Sequence, residues 1–335
     1  MRNLPTSADA RGRTFTLADF LEAGQKDLQL EVLSDGRGLS HAVLDPATNR
    51  PGLALTGFFE SFGYERLQVF GYPEVAYLRS LSVAERRVRV SAMLDHGAYC
   101  FIFTNGERLD DEIASFVGRS GAVVLATPLK TREFTHRATY VLERLAAPRT
   151  TIYGTMVEVC GIGVLFEGDP GLGKSETALG LIKRGAALVA DDLTCIRKAF
   201  GCEVLYGSAA DSTAGFMEIR GIGIIHIPSM FGVNAVRGEK RLQLVISFRL
   251  LNQVKDEIDR IGQTRRYRDI LGVKVPNVII PVSEGRDLVN LVETAAQRQK
   301  LLMTGYDPVE CLSERLRVRV DGNNGGGGSN GRENH

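Results

Sequence analysis

The sequence predicts an α/β protein of two domains, the second of which carries a phosphate loop on a mixed sheet. Three observations favour this fold class. Strand patterns alternate with helix patterns through residues 1–148, a glycine-rich loop at 168–175 lies between an apolar strand and a helix, and a further strand pattern precedes that apolar strand. Because two strands joined by a short turn run antiparallel, the second domain should depart from a plain parallel layout.

Residues 1–148 are predicted to form an N-terminal α/β domain. Thr16 is a typical N-cap for a helix that begins at Leu17. Apolar runs and helical spacing indicate the other elements, which are strands at 28–33, 98–103 and 122–126 and helices at 110–117 and 131–145. This order predicts a parallel unit, and the break in the pattern at residues 146–149 sets the domain boundary.

Residues 149–320 are predicted to form the phosphate-loop domain. Residues 151–159 alternate like a strand, and the turn at 160–163 leads into a buried strand at 164–166. A helix at 176–184 follows the loop and is closed by Gly185 as its C-cap. From about residue 321 the chain is rich in Gly and Asn, so residues 321–335 are predicted to be a disordered tail.

The loop fits the complete phosphate-loop pattern, in which two glycines bracket four residues and Lys-Ser follows. Its candidate nucleotide-binding residues are Gly168, Asp169, Pro170, Gly171, Leu172, Gly173, Lys174 and Ser175. Backbone N–H groups of such a loop turn inward around phosphate oxygens, and the helix N-terminus points at the anion. Lys174 can reach the terminal phosphates, and the Ser175 hydroxyl can hold Mg²⁺.

Two acidic segments after the loop could complete a site for phosphoryl transfer. Asp191 and Asp192 end a short apolar strand, where a carboxylate can orient Mg²⁺ or accept the proton of an attacking hydroxyl. The alternative for this pair is a solvated turn. Glu218 could join the metal site and Arg220 could pair with a carboxylate, or their segment is an edge strand with one solvated face.

Composition excludes several classes of partner. The 41 Lys and Arg nearly balance the 40 Asp and Glu, so no overall charge favours nucleic acid or an anionic membrane. The five cysteines include no Cys-x-x-Cys pair, which argues against a disulfide framework or a zinc site. With no apolar leader pattern at Met1 and no apolar run of about 18 residues, we expect a cytoplasmic protein.

Taken in order, these motifs resemble those of the HPr kinase/phosphorylase family over about residues 150–306. The segments that carry the resemblance are 168–178, 183–185, 189–192, 218–225 and Asp259-Arg260-Ile261-Gly262. The N-terminal half is compatible with that family's own N-terminal domain but carries no distinctive motif.

The resemblance implies a homohexameric bacterial kinase with a fold related to phosphoenolpyruvate carboxykinase. Such an enzyme uses ATP and Mg²⁺ to phosphorylate a serine of HPr, the small phosphocarrier protein of the sugar phosphotransferase system. It can also remove that phosphate with inorganic phosphate, forming pyrophosphate.

The resemblance also implies a role for each matching residue. Lys174 would contact the transferring phosphate, while Ser175 and Glu218 would hold Mg²⁺. Asp192 would take the serine proton in the kinase direction and return it in the reverse direction. Arg260 would stabilise charge on the phosphoryl group in flight.

The sequence departs from the family pattern in two places. The family usually has His-Gly in the strand that leads to the loop, and this chain has Tyr153-Gly154. In the segment linked to phosphorolysis, Ser283 and Glu284 stand where the family commonly has a basic residue and then Pro or Thr. A lost positive charge and an added negative charge should weaken phosphate binding, so we expect a kinase with reduced phosphorylase activity.

Two alternatives stay open at this point. The chain could be a paralogue that keeps the site but phosphorylates another protein or a small molecule, and Tyr153 keeps this alternative open. It could also be a binding module whose partner affinity is controlled by nucleotide occupancy, without phosphoryl transfer. Asp191 and Asp192 argue against the binding module, because a pure switch needs no base beside an attacking hydroxyl.

Overall fold

The computed structural model describes residues 14–254 and 265–315. The chain forms two compact units that divide between Pro148 and Arg149. Within the described ranges, no helix combines the length and the apolar character needed to cross a membrane. Both the predicted tail at 321–335 and the predicted catalytic residue Arg260 lie outside the described residues.

The N-terminal unit is built on a five-stranded sheet with the order β1-β5-β4-β3-β2. Its strands are β1 (Glu31–Val32), β2 (Thr48–Asn49), β3 (Leu67–Phe70), β4 (Cys100–Phe103) and β5 (Val123–Ala126). Its helices are α1 (Leu17–Leu28), α2 (Gly52–Leu55), α3 (Tyr72–Ser80), α4 (Val83–Asp95), α5 (Asp111–Arg119) and α6 (Thr131–Ala146). The pairs β2–β3, β3–β4 and β4–β5 are parallel, so the predicted parallel unit is confirmed, whereas β1 runs antiparallel to β5.

Local sequence explains where α1 begins and why the first predicted strand is too long. The Thr16 hydroxyl accepts a hydrogen bond from the Asp19 amide, and the Asp19 carboxylate accepts one from the Thr16 amide, which closes a capping box. Leu28 is the last residue of α1 and is fully buried, and Gln29 ends the helix in the left-handed region with φ 49°. The predicted strand at 28–33 therefore shrinks to two residues.

The C-terminal unit contains a larger sheet and a separate hairpin. The strands in the first part of this unit are β6 (Arg149–Tyr153), β7 (Thr155–Val159), β8 (Ile162–Glu167), β9 (Ala187–Ala190), β10 (Leu193–Lys198) and β11 (Leu205–Ser208). The remaining strands are β12 (Phe216–Ile219), β13 (Gly223–His226), β14 (Glu239–Leu250), β15 (Arg266–Ile270) and β16 (Val273–Val282). The helices are α7 (Lys174–Lys183), α8 (Ile227–Phe231) and α9 (Leu288–Met303). Strands β12 and β13 form the hairpin, and the other strands form the nine-stranded sheet.

The sheet around the phosphate loop is mixed, as predicted. Strand β8 leads into the loop and runs parallel to β14, which is itself parallel to β16. On its other side β8 runs antiparallel to β7, and β7 runs antiparallel to β9. The inner side chains of β8 and β14, such as Phe166 and Phe248, pack with α7 and α9 in one apolar cluster. The carboxyl ends of β8, β14 and β16 therefore share one edge of the sheet.

The strand predicted at 151–159 is in fact two strands that part at Gly154. Strand β6 pairs with β10, whereas β7 pairs with β8 and β9. A Cβ atom at Gly154 would stand 2.4 Å from the carbonyl oxygen of Phe166, so only glycine allows the chain to pass so close to β8. The predicted turn at 160–163 is also shorter, because Ile162 and Gly163 already belong to β8.

Candidate active site

The phosphate loop connects the end of β8 to the first residue of α7. Gly168 has φ 151°, and a Cβ atom there would lie 2.7 Å from the Phe248 carbonyl oxygen of the neighbouring strand. The half-buried Lys174 bends back over the loop and donates hydrogen bonds from Nζ to the carbonyl oxygens of Gly168 at 2.8 Å and Asp169 at 3.1 Å. These contacts hold one positive charge at the helix N-terminus, where the helix dipole also favours an anion.

The Asp191 carboxylate joins three elements beside the loop. Its Oδ1 atom accepts hydrogen bonds from the Ser175 hydroxyl at 3.0 Å and from the Thr155 hydroxyl at 2.8 Å. Its Oδ2 atom accepts one from the backbone amide of Glu218 at 3.1 Å. Asp191 follows β9 directly, so this carboxylate ties α7, β7 and β12 together at the end of β9.

The surroundings of Asp191 make its carboxyl group harder to ionise, as the direction of its pKa shift shows. Burial raises the pKa of Asp191, and the charge of Asp192 adds to that rise. The hydrogen bonds from Thr155, Glu218 and Ser175 oppose it, but the net shift is upward. A nearby cation would be favoured here, because it would stabilise the charged form of the carboxylate.

Asp192 lies next to this cluster but faces solvent. Its backbone is in the left-handed region with φ 58°, and its carbonyl oxygen accepts a hydrogen bond from the Gly154 amide at 2.9 Å. Left-handed backbone is uncommon for a residue with a side chain, although Asp tolerates it better than most. The following residue, Leu193, pairs with Tyr153 across β10 and β6, and Tyr153 is 68% exposed. The pair Tyr153-Gly154 therefore lies beside the backbone of Asp192 and Leu193.

The hairpin of β12 and β13 brings Glu218 and Arg220 toward the loop. Met217 and Ile219 are buried in the core, whereas the Glu218 side chain between them is exposed. The Arg220 guanidinium lies over Gly171, where a Cβ atom would come 3.0 Å from its Nη1 atom. The sequence left open whether Arg220 pairs with a carboxylate or lies on a solvated edge strand, and in the structure its guanidinium lies against the loop.

The segment that departs from the family pattern follows β16 at the same edge of the sheet. Ser283 and Glu284 are exposed, and the Arg286 amide donates to the Ser283 carbonyl oxygen at 3.3 Å, which forms a turn. Two strands away in the sheet, Glu167 at the end of β8 pairs with Arg268 at 3.3 Å. The carboxylate of Glu284 is thus an exposed negative charge at the edge where the phosphate loop begins.

Thr155 is the residue of this site that we did not single out from the sequence. It is fully buried, and its hydroxyl reaches Asp191, which lies 36 residues further along the chain. The available signal was a polar residue at the start of an apolar strand pattern, in which Met156, Val157 and Val159 are also buried.

The arrangement supplies most of the parts that phosphoryl transfer needs. The loop amides and Lys174 can cradle a polyphosphate, the Ser175 hydroxyl and carboxylate oxygens are hard donors, and Asp192 offers an exposed base. Magnesium usually takes one or two carboxylates together with substrate phosphates rather than a cage of protein ligands. This donor set therefore fits Mg²⁺, although the described residues contain no cluster of three His, Cys, Asp or Glu side chains able to hold a metal.

A strand, a phosphate loop and a helix, with a carboxylate at the end of β9 hydrogen-bonded to the loop serine, define the class of phosphate-loop nucleotide-binding proteins. Two family models match the sequence and identify the particular family within this class. The model for the HPr Serine kinase C-terminal domain matches residues 144–316, and the model for the HPr Serine kinase N terminus matches residues 16–142. The chain belongs to the HPr kinase/phosphorylase family.

Relatives with curated names agree with these matches. The HPr kinase/phosphorylase of Caldicellulosiruptor bescii is 40% identical over 302 residues, which cover 90% of this chain and 96% of the relative. Those of Leptospira biflexa and Geobacter sulfurreducens are 38% and 35% identical, over 88% and 92% of this chain and 91% and 96% of the relatives. The predicted family and the predicted kinase class, which requires a nucleotide, are confirmed.

Among solved structures, the Hpr(Ser) kinase/phosphatase from Coxiella burnetii is 33% identical, with a TM-score of 0.43. The match covers 46% of this chain and 99% of that structure.

Proposed function

We propose that this protein transfers the terminal phosphoryl group of ATP to a serine of HPr. The hydrogen bond from Ser175 to Asp191 carries the proposal, because it joins the phosphate loop to the strand end that bears Asp192. The curated relatives, which align over about nine-tenths of this chain, are named as HPr kinase/phosphorylases, and this supports HPr as the acceptor.

We assign the acid–base role to Asp192. In the kinase direction the serine oxygen bonds to the terminal phosphorus, the bond from that phosphorus to the bridging oxygen of ATP breaks, and the serine proton passes to the Asp192 carboxylate. In the reverse direction inorganic phosphate takes the phosphoryl group from phosphoserine, and the acid form of Asp192 returns a proton to the serine oxygen. An exposed side chain suits this role, since the acceptor serine arrives on another protein.

Lys174 and the loop amides would hold the polyphosphate, with the Arg220 guanidinium at the rim over Gly171. Ser175 and Glu218 would hold Mg²⁺, which would neutralise charge on the phosphates as the transfer proceeds. The Ser175 proton is donated to Asp191, so its oxygen lone pairs are free to face a cation. The roles of Arg260 and of inorganic phosphate, and a homohexameric assembly, stay predictions that rest on the resemblance.

Intact-mass analysis of HPr after incubation with Mg-ATP and this protein tests the function. We expect one added phosphate on a serine with the wild type, and with Asp192→Asn a rate at least about 100-fold lower. The variant should bind ATP as the wild type does, because among the described residues the Asp192 side chain makes no hydrogen bond to the loop. Asp211→Asn is a matched control at another exposed Asp and should keep full activity.

The other outcomes separate the alternatives. If the wild type binds ATP but adds no phosphate to HPr, the acceptor is a different molecule and the chain is a paralogous kinase. If Asp192→Asn still phosphorylates HPr at the wild-type rate, the assignment of Asp192 as the base is wrong. A nucleotide-controlled binding module would change its affinity for HPr with ATP and show no transfer with either protein.

A further inference from the structure

The Thr155 hydroxyl is a buried polar group with one partner in the site. Thr155 begins β7, has no exposed surface, and donates to the Asp191 Oδ1 atom at 2.8 Å. Burying a hydroxyl is unfavourable unless it is hydrogen-bonded, and an apolar residue of the same shape would suit the surrounding core. The hydrogen bond to Asp191 therefore explains why a hydroxyl is present at this buried position.

The orientation of the Asp191 carboxylate matters because its two oxygens accept hydrogen bonds from two different groups besides Thr155. One oxygen receives the Ser175 proton, and the other receives the amide of Glu218. The terminal torsion of an Asp side chain has a broad and roughly two-fold distribution, so backbone position alone does not fix the carboxylate plane. A second donor on Oδ1 restricts that rotation, and Thr155 supplies it from a strand that is hydrogen-bonded on both sides.

We propose that Thr155 is a positioning residue for the cation site. Its hydroxyl holds the Asp191 carboxylate in the one orientation that takes the Ser175 proton on Oδ1 and the Glu218 amide on Oδ2. Thr155 then determines how the Ser175 lone pairs are oriented. It also determines where the strand that carries Glu218 lies. This inference rests on the proposed cation site, and it does not depend on which molecule accepts the phosphoryl group.

Manganese binding in the presence of ADP tests the inference without any turnover. Free Mn²⁺ is measured by electron paramagnetic resonance while the full-length protein is titrated, with wild type, Thr155→Val and Thr155→Ser compared. Valine keeps the shape and removes the hydroxyl, and loss of a group that orients a metal ligand typically weakens metal binding about 10-fold or more. We expect a dissociation constant for Mn²⁺ about tenfold higher in Thr155→Val, and a return to within about twofold of the wild type in Thr155→Ser.

Thr127→Val is the matched control. Thr127 is also buried, and its hydroxyl donates to the Leu28 carbonyl oxygen at 2.7 Å in the N-terminal unit. This variant should lose stability like Thr155→Val and should bind Mn²⁺ as the wild type does. In the kinase assay, Thr155→Val should need about tenfold more Mg²⁺ for half-maximal rate while kcat at saturating Mg²⁺ stays within about threefold of the wild type.

Wild-type Mn²⁺ affinity in a folded Thr155→Val protein would overturn the inference and reduce Thr155 to a packing residue. Equal weakening in Thr155→Val and Thr155→Ser would overturn it as well, because the serine retains the donor. If Thr155→Val does not fold, Thr155→Ala removes the same hydroxyl without placing a methyl group against the carboxylate. If the wild type binds Mn-ADP but leaves HPr unmodified, only the proposed acceptor fails.

Discussion

Glu284 places a negative charge where a reaction with inorganic phosphate would favour a positive one. The residue is exposed in the turn after β16, and β16 is separated from β8 only by β14. Its charge therefore lies at the edge of the sheet where the phosphate loop begins. In the proposed site the loop itself would hold most of ATP, so Glu284 should affect the binding of a separate phosphate ion more than it affects ATP.

We predict that Glu284→Lys raises phosphorolysis of phosphoserine-HPr by roughly 3- to 10-fold at subsaturating phosphate, because an attractive charge replaces a repulsive one. The kinase reaction should change by less than about twofold. Both rates can be measured by intact mass, and Glu314→Lys, at an exposed position in the chain after α9, serves as a charge-matched control. An unchanged phosphorolysis rate in Glu284→Lys would show that this segment does not bind the phosphate.

Individual residues differ in how far the sequence reveals them. Lys174 and Ser175 could be identified because the loop pattern is contiguous, and Asp191 and Asp192 because an acidic pair directly follows an apolar strand. Thr155 could not, since its significance lies in a contact with a residue far along the chain. The broken strand at Gly154 was missed for a similar reason. Alternation continues through residues 151–159, and the break comes from the approach of the Phe166 carbonyl oxygen.

At the level of elements, Glu158 links three segments of the C-terminal unit by charge. The Glu158 side chain on β7 is 18% exposed and accepts contacts from Arg237 at 3.1 Å and from Lys240 of β14 at 3.0 Å. Burial raises the pKa of Glu158, but the hydrogen bonds and charges of Lys240 and Arg237 outweigh it and hold the pKa below its ordinary value of 4.5. A lowered folded-state pKa stabilises the fold above the unfolded-state pKa, and this stabilisation is lost as pH falls through the folded value.

We predict that Glu158→Gln lowers the free energy of unfolding by about 1 kcal/mol at pH 7, which is about 2–4 °C in melting temperature for a domain of this size. The difference from the wild type should shrink as pH falls below 4.5 and should disappear at an acid pH below the lowered pKa of Glu158, where the wild-type carboxylate is also neutral. Calorimetry at both pH values measures this, with Glu203→Gln as a control at an exposed glutamate before β11. A difference that persists unchanged in acid would mean that Glu158 acts through packing rather than through charge.

At the level of the whole molecule, the apolar clusters follow the division of the chain. Two clusters consist of residues between Phe15 and Ala146, and the other two consist of residues from Ile152 onward. Each unit therefore has its own buried core, which is the usual condition for a domain to fold alone. The phosphate loop, the Asp191 contacts and the hairpin of β12 and β13 all belong to the second unit.

We predict that a fragment of residues 149–335 folds cooperatively and binds Mn-ADP within about threefold of the affinity of the full chain, because every described contact of the nucleotide site comes from this fragment. Calorimetry and manganese titration measure the two properties, and the same fragment with Lys174→Met is the control that should fold and lose nucleotide affinity. Binding more than about tenfold weaker in a cooperatively folded fragment would show that the N-terminal unit contributes to the nucleotide site. If the fragment binds Mn-ADP with full affinity but does not phosphorylate HPr, nucleotide binding and phosphoryl transfer are separable within one chain. The N-terminal unit would then contribute to binding of the acceptor or to assembly, and not to binding of the nucleotide.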